Sequence, residues 1–271
     1  DYFVAELGAF RRGDIKSRAS IVKPKYGILT KIGTAHLDTF GSIENTTKTK
    51  FELIESLPSD GIAFLNIDDE LQVNYHLKNK VKVVWYGLSV EADVYASDIK
   101  YSSDGMSFKV HFKNDKKSYD FATKLLGEAN VYNILAGIAV GKELGLSIAE
   151  LQRGVLQIKP IEHRLQIKKY GQITYIDDAY NSNPVGSKMA LDVLKLMPGK
   201  KVIITPGMIE MGNKQYEVNY NFGKYIADSV DLAILVGIEQ TKPIQKGLLD
   251  SKFDKDKLLM LNDVKEAISI A

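Results

Sequence analysis

Lys50 is the residue hardest to place without chemistry. At about 100° per residue, Ile43, Lys50, Ile54 and Leu57 project to nearly the same side of a helix expected over 42–57, with Leu53 close by. Lys48 points the opposite way. Burying an unpaired ammonium is expensive. Two outcomes are open. The stem can pack while the ammonium reaches water. Alternatively, desolvation lowers the lysine pKa, and the neutral amine adds CO₂ to become a carbamate, a carboxylate on a long arm that can bind a hard cation. His36 and Asp38 follow a strand-like run, Tyr26–Ile32, and Glu6 closes an earlier one, Tyr2–Gly8. Ends of parallel strands are where α/β folds place ligands, and oxygen plus imidazole is a reasonable shell for Mg²⁺ or Mn²⁺. Taken alone, each is equally a solvated strand-end charge, a loop histidine or a helix-capping aspartate.

Further along, Asn130 and Asn133 lie one turn apart at the start of an expected helix, 130–144. Asn130 would serve as its cap. A side-chain amide can also pair with the donor–acceptor edge of adenine. In the run Ile176 to Pro184, a strand ends on Asp177 and Asp178, a polar loop of Tyr180, Asn181 and Ser182 follows, and Asn183 with Pro184 makes a ready helix start. Helix N-termini attract anions. The run Pro206 to Gly212 presents glycine-rich backbone and Glu210 at the same strand edge. Two signatures are absent. Gly137 to Glu143 is the nearest approach to a P-loop, but it has one residue too few between its glycines and sits within a helix pattern. No G-x-G-x-x-G occurs either.

The elements that must position these residues alternate. Four short apolar strands, 2–8, 26–32, 61–67 and 81–87, alternate with a helix near 42–57 and a shorter one beginning near 68–70, a pattern that implies a mostly parallel sheet covered by helices. From Asp93 to Lys124 the period becomes two, broken by polar turns, which predicts a three-strand antiparallel meander packed beside that sheet. Gly145 suits a helix C-terminus, and Ser147 with Glu150 forms a capping box for a helix to about 158. Lys159-Pro160 breaks it, and 161–165 reads as a linker. A second alternating block follows, with strands at 173–177, 201–207, 231–237 and 257–262 and helices at 184–196, 215–229, 241–249 and from 263. It predicts a small doubly wound domain. The boundary falls between 1–162 and 163–271.

Composition excludes several classes. A 271-residue chain with 45% hydrophobic and 26% charged residues is ordinary for a globular protein. A net charge of +2 indicates no broad basic surface, so no nucleic-acid partner is expected. Without cysteine there are no disulfides, thiolate metal sites or cysteine nucleophiles, which fits a reducing, cytoplasmic compartment. No apolar run approaches the roughly 20 residues of a membrane span. The chain opens inside an apparent strand without an initiator methionine and stops partway into a helix, so a fragment is expected.

Taken in order, these segments resemble the Mur ligase family. The carrying residues are E-L-G-A with G-D-I at Glu6–Ile15, I-G-T-A-H-L-D-T-F-G-S at Ile32–Ser42, T-K-F-E-L at Thr49–Leu53 and L-N-I-D-D at Leu65–Asp69. They continue with N-V-Y-N at Asn130–Asn133, H-R-L at His163–Leu165, D-D-A-Y-N-S-N-P at Asp177–Pro184 and G-M-I-E-M-G at Gly207–Gly212. The resemblance implies a central ATPase-type domain, mostly a parallel sheet with an antiparallel meander, followed by a Rossmann-like C-terminal domain. It implies Glu6 and His36 as Mg²⁺ ligands and catalytic residues, with Lys50 as a carbamate completing the site. It implies Asn130 and Asn133 beside adenine, Arg164 and Asp178 on the nucleotide, and Tyr180, Asn181 and Asn183 facing the reacting substrates. The implied activity is ATP-driven amide formation in peptidoglycan synthesis by a monomer, with UDP-N-acetylmuramoyl-tripeptide and D-alanyl-D-alanine as substrates. The rivals are a family member that adds another amino acid or extends folate with glutamate, and a non-catalytic interaction subunit. Departures are the missing P-loop, Ala129 where many relatives have His, Pro206-Gly207-Met208 where Gly-Asp-Met is common, and no late Lys-Gly-Ser strand.

Overall fold

The computed structural model describes residues 2–33, 37–102, 104–179, 183–209 and 211–270, without the side chains of Leu37 and Asp38. His36, Tyr180, Asn181 and Glu210, singled out above, therefore lie outside the described residues. The chain divides into two compact units. One holds 1–99, 107–122 and 129–157, and the other holds 100–106, 123–128 and 158–271.

The first part of the chain runs α1 (Asp14–Val22), β1 (Tyr26–Ile28), α2 (Leu37–Phe40), α3 (Ile43–Glu55), β2 (Ile62–Asn66), α4 (Glu70–Val73) and β3 (Lys82–Gly87). It continues with β4 (Val94–Ser102), β5 (Gly105–Phe112), β6 (Ser118–Thr123), α5 (Glu128–Glu143) and α6 (Ile148–Gln157). The strands form one sheet in the order β1-β2-β3-β4-β5-β6. β1 to β4 are parallel, in register Tyr26↔Ile62, Ile62↔Lys82 and Tyr86↔Val94. The meander is thus no separate layer. β4 bonds to β3, and β5 and β6 extend the same sheet.

α3 covers the sheet because its apolar positions recur at helical spacing. Phe51 and Ile54 are fully buried among Leu29, Ile32, Leu57, Ala63 and Leu65. Burial of each such side chain is worth about 1.5–3 kcal/mol. Gly27 lets the helix come close, since a Cβ there would lie 3.0 Å from Ile54 Cδ1. Ser42 caps α3 through its Oγ, which accepts from Asn45 N–H at 3.2 Å. The expected capping box is present, with Ser147 N–H donating to Glu150 Oε2 at 2.8 Å.

One expectation fails here, and one element is new. Residues 2–8 are not a strand. Tyr2, Phe3 and Val4 are largely exposed, and the segment pairs with no described strand. Apolar residues make a strand only where a neighbour completes the ladder. The new element is α1, which periodicity did not announce. Its N-terminal donors are met from 39 and 36 residues away, where Glu52 accepts from Gly13 N–H at 2.7 Å and Lys16 N–H at 2.9 Å. Ile15 and Ala19 supply its only buried positions.

The second unit contains β7 (Gln166–Tyr170), β8 (Ile173–Asp177), α7 (Pro184–Leu196), β9 (Val202–Thr205), α8 (Gln215–Ala227), β10 (Leu232–Val236), α9 (Ile238–Asp250), β11 (Leu258–Leu261) and α10 (Val264–Ile270). β9, β10 and β11 form the expected parallel sheet, in the order β11-β10-β9. β8 does not join it. It pairs antiparallel with β7, Gln166↔Asp177 through Tyr170↔Ile173, because Gly171, at φ 59, closes a turn tight enough for local pairing. Leu191, Met208, Phe222, Ile226, Leu235, Ile244 and Leu248 build this unit's core. No described helix is long and apolar enough to cross a membrane.

Candidate functional site

The positions named by sequence fall in both units, and each unit is taken by itself. In the first, α3 presents Lys50 half-buried and Lys48 exposed, the ordering that periodicity gave. The threonines around Lys50 are buried because their hydroxyls bond back to the preceding turn, Thr47 to Ile43 O at 2.8 Å and Thr49 to Asn45 O at 2.7 Å. Glu6 is exposed in irregular backbone rather than at a strand end. Asp38, expected in a loop, lies in the short helix α2.

The backbone leading toward His36 is held more firmly than its lack of regular structure suggests. After β1 the chain loses its ladder, and side chains replace it. Tyr86 Oη donates to Leu29 O at 2.6 Å, and Gln72 Nε2 donates to Thr30 O at 3.0 Å. Ile32 N–H donates to Asp69 Oδ2 at 2.8 Å. Asp69 Oδ2 also accepts from Gln72 Nε2 at 2.9 Å, and Oδ1 accepts from Leu71 N–H at 3.1 Å, capping α4. Asn66, Asp69, Gln72 and Tyr86 are all buried. Burial pushes the Tyr86 phenol well above its ordinary range, with the Asp69 charge adding to the effect. Sequence reading passed over Asp69 and Gln72. The L-N-I-D-D run was the available signal.

The Mg²⁺ ligands expected from the family resemblance are Glu6, His36 and a carbamate on Lys50. Among the described residues no three His, Cys, Asp or Glu side chains group as a metal site. What the structure contributes in this unit is one hard oxygen donor, the Glu6 carboxylate, and the Lys50 amine, which would offer oxygen to a cation only as a carbamate. On α5, Asn130 is half-buried and Asn133 exposed one turn on. Because α5 begins at Glu128, Asn130 sits in its first turn and is not its cap.

In the second unit the linker residues are sharply defined. Arg164 N–H donates to Ile161 O at 3.2 Å, closing a turn. The residues on either side of Arg164 are left-handed, His163 at φ 61 and Leu165 at φ 46. For side chains other than glycine this costs about 1–2 kcal/mol per residue. Two consecutive carboxylates at the end of β8 hold them. Asp177 Oδ2 lies 2.9 Å from His163 Nδ1 and accepts from Lys168 Nζ at 2.6 Å. Asp178 Oδ1 accepts from Leu165 N–H at 3.1 Å. Their titrations diverge. Burial raises the Asp178 carboxyl, assisted by Asp177 and opposed by Leu165 N–H and Arg164. Burial also pushes Asp177 up, but the hydrogen bonds from Lys168 and His163 outweigh it and leave the carboxyl low. Asn183 caps α7 as expected, accepting from Gly186 N–H at 2.9 Å with Pro184 in the first turn.

The loop after β9 is clamped in the same manner. Buried Asn219 accepts from Met208 N–H and donates to Met208 O, both at 2.8 Å. Gln240 Nε2 donates to Pro206 O at 2.8 Å, and Gly207 N–H donates to Thr205 Oγ1 at 3.0 Å. Gly207, at φ 79, has no room for a Cβ, which would lie 2.6 Å from Asn219 Oδ1.

A parallel sheet extended by a meander, then a second unit with its own parallel sheet, with the lysine helix and the Asp-Asp strand end as described, defines a class. The chain belongs to the Mur ligase family: residues 1–141 match the Mur ligase middle domain, and 163–271 match the Mur ligase glutamate ligase domain. Within the family it is similar to UDP-N-acetylmuramoyl-tripeptide--D-alanyl-D-alanine ligase of Escherichia coli K12, at 28% identity over 273 residues. That match takes in 99% of this chain and 60% of the relative. A crystal structure of MurF from Acinetobacter baumannii superposes with TM-score 0.81 at 26% identity, over 98% of this chain and 57% of that one. MurF ligase from Thermotoga maritima, solved in complex with ADP, shares the fold at TM-score 0.79 and 21% identity, over 98% of this chain and 59% of that one. The chain therefore spans less than two thirds of the length of these relatives.

Proposed function

We propose that this protein is an ATP-dependent ligase that joins D-alanyl-D-alanine to UDP-N-acetylmuramoyl-tripeptide, acting as a cytoplasmic monomer. The observation that carries the reading is Lys50. It is half-buried on α3, whose neighbouring residues pack on β1 and β2, while Lys48 is free in solvent. Similarity to the dipeptide-adding relative along nearly the whole chain favours that substrate over a single amino acid.

The tripeptide carboxylate would attack the γ-phosphorus of ATP, break the bond to the bridging oxygen and release ADP. The amine of D-alanyl-D-alanine would then attack the acyl carbon, lose a proton and expel phosphate. Two anions must approach in the first step. Mg²⁺ held by Glu6, His36 and carbamoylated Lys50 would supply the charge neutralisation. Asn130 and Asn133 are assigned to the adenine, Arg164 and Asp178 to the nucleotide, and Tyr180, Asn181 and Asn183 to the reacting substrates. Retention of Glu6, His36, Lys50 and Asp178 speaks against a non-catalytic subunit.

An amine-acceptor screen on the full-length protein tests this. With ATP, Mg²⁺ and the UDP-tripeptide, D-alanyl-D-alanine should give one phosphate and one amide per turnover. Turnover with a single amino acid and none with the dipeptide would transfer the protein to a sister ligase.

A further inference from the structure

Arg164 is assigned above to the nucleotide, yet it is exposed and stands between two residues of left-handed backbone. Outliers of this kind persist only where the surroundings over-determine them. Positive φ is uncommon for any residue but glycine, and histidine adopts it more readily than leucine; both positions here have a partner that holds them in place. Leu165 is buried and its N–H is taken by Asp178. His163 is half in solvent, with 51% of its side chain exposed. Its ring lies against the Asp177 carboxylate, Nδ1 2.9 Å from Oδ2.

We propose that Asp177 is a positioning residue for nucleotide binding: by holding the His163 ring it fixes the left-handed turn that presents the Arg164 guanidinium. Asp177 lies outside the assigned nucleotide set and needs no contact with substrate. Lys168, bonded to the same carboxylate oxygen, keeps it ionised and oriented. Asp178, one residue on, does the matching work on the other flank through Leu165. The arrangement explains why the chain carries two acids here where one would suffice to touch a ligand. The proposal rests on the nucleotide role given to Arg164.

Position 163 allows a test that leaves both acids intact. Asparagine tolerates positive φ and can donate to Asp177, whereas alanine does neither. In the full-length enzyme His163→Asn should keep the KM for ATP near the parent value. His163→Ala should raise it about tenfold with little change in kcat, as loss of one charge-assisted hydrogen bond would. Asp177→Asn should behave like His163→Ala. Calorimetric titration with ADP should show the same ordering without turnover. Thermal melts identify any variant that fails to fold, and the His163 pair decides alone if Asp177→Asn does. Equal KM values for His163→Asn and His163→Ala would overturn the proposal while leaving the role of Arg164 standing. If Arg164→Ala leaves the KM for ATP unchanged, the nucleotide reading of Arg164 falls and the positioning proposal falls with it.

Discussion

Removing the Asp69 carboxylate should cost the first unit much of its stability. Asp69 is 7% exposed and accepts three N–H groups, from Ile32, Leu71 and Gln72. In Asp69→Ala the Ile32 N–H is left buried and unpaired, a loss of about 1–3 kcal/mol. α4 loses its cap, worth about 1 kcal/mol. Gln72 keeps Thr30 O but loses its second partner. The three losses share atoms and will not add fully, so a total of about 2–4 kcal/mol is expected against a typical domain stability of about 5–15 kcal/mol. Trp85 is the one tryptophan of the chain and lies on β3. Its fluorescence in a urea titration therefore follows the first unit alone, which matters because a chain of two units need not unfold in one step. With a urea slope of about 2 kcal/mol per molar, the midpoint should fall by about 1–2 M. Asp69→Asn keeps the shape but turns an N–H₂ toward another donor, so its midpoint should lie between the parent and Asp69→Ala. Hydrogen exchange at the Ile32 amide should accelerate in both. A midpoint shift below about 0.3 M for Asp69→Ala would refute the view that this network replaces the missing ladder.

Three further outcomes are expected. Gly207→Ala should destabilise the second unit by about 2–4 kcal/mol, from left-handed strain plus displacement of the Asn219 clamp; a calorimetric loss under about 1 kcal/mol contradicts the tight fit. The paired acids should show opposite pH signatures in thermal melts. The folded pKa of Asp178 is raised, so its contribution is favourable below the unfolded value near 3.9 and is lost as pH rises through the folded one. Asp178→Asn should therefore melt higher than the parent at pH 7 and lose that advantage in acid. Asp177 is depressed, so its contribution is present above about pH 4 and lost as pH falls through the folded value. Asp177→Asn should melt lower at pH 7, with the deficit shrinking in acid, and the reverse order for either variant would dispose of the assigned causes. Finally, Lys50→Ala should abolish ligation in the full-length enzyme and recover in part with a short carboxylate. A free ammonium reaching solvent in the nucleotide-bound enzyme would rule out the carbamate.

What sequence revealed and what it hid divide along the range of the interactions. α7 emerges with the expected bounds because Asn183 and Pro184 announce it within a few residues. The 147–150 capping box and the period-two meander are equally local. Lys50 was legible because its surroundings repeat along one helix. α1 was hidden because its cap comes from Glu52, far along the chain, and the 2–8 run misled because an apolar segment does not reveal its lack of a strand partner. β8 was misassigned for a related reason: its sequence suits either sheet, and Gly171 decides. Asp69, Gln72 and Asn219 were passed over as functional positions. A buried amide or carboxylate is recognised by what it holds, and here that is backbone distant in sequence.

The two units meet one physical problem with the same device. At the C-terminal ends of parallel strands the chains diverge, and backbone groups that were paired in the ladder lose their neighbours while remaining buried. In the first unit Tyr86, Gln72 and Asp69 supply the missing partners to Leu29, Thr30 and Ile32. In the second, Asn219 both gives to and takes from Met208, as a neighbouring strand would, and Gln240 holds Pro206. An amide suits this task because it carries donor and acceptor together. These strand ends are where ligands bind in open α/β sheets. A loop carried there by buried side chains can be irregular in shape and still be fixed, and a reacting group needs that combination to be held ready before substrate arrives. The backbone at Leu29, Thr30 and Ile32, and at Pro206 and Met208, is thus held for reasons unrelated to its own composition, and substitutions at Asp69 or Asn219 should act on it through geometry.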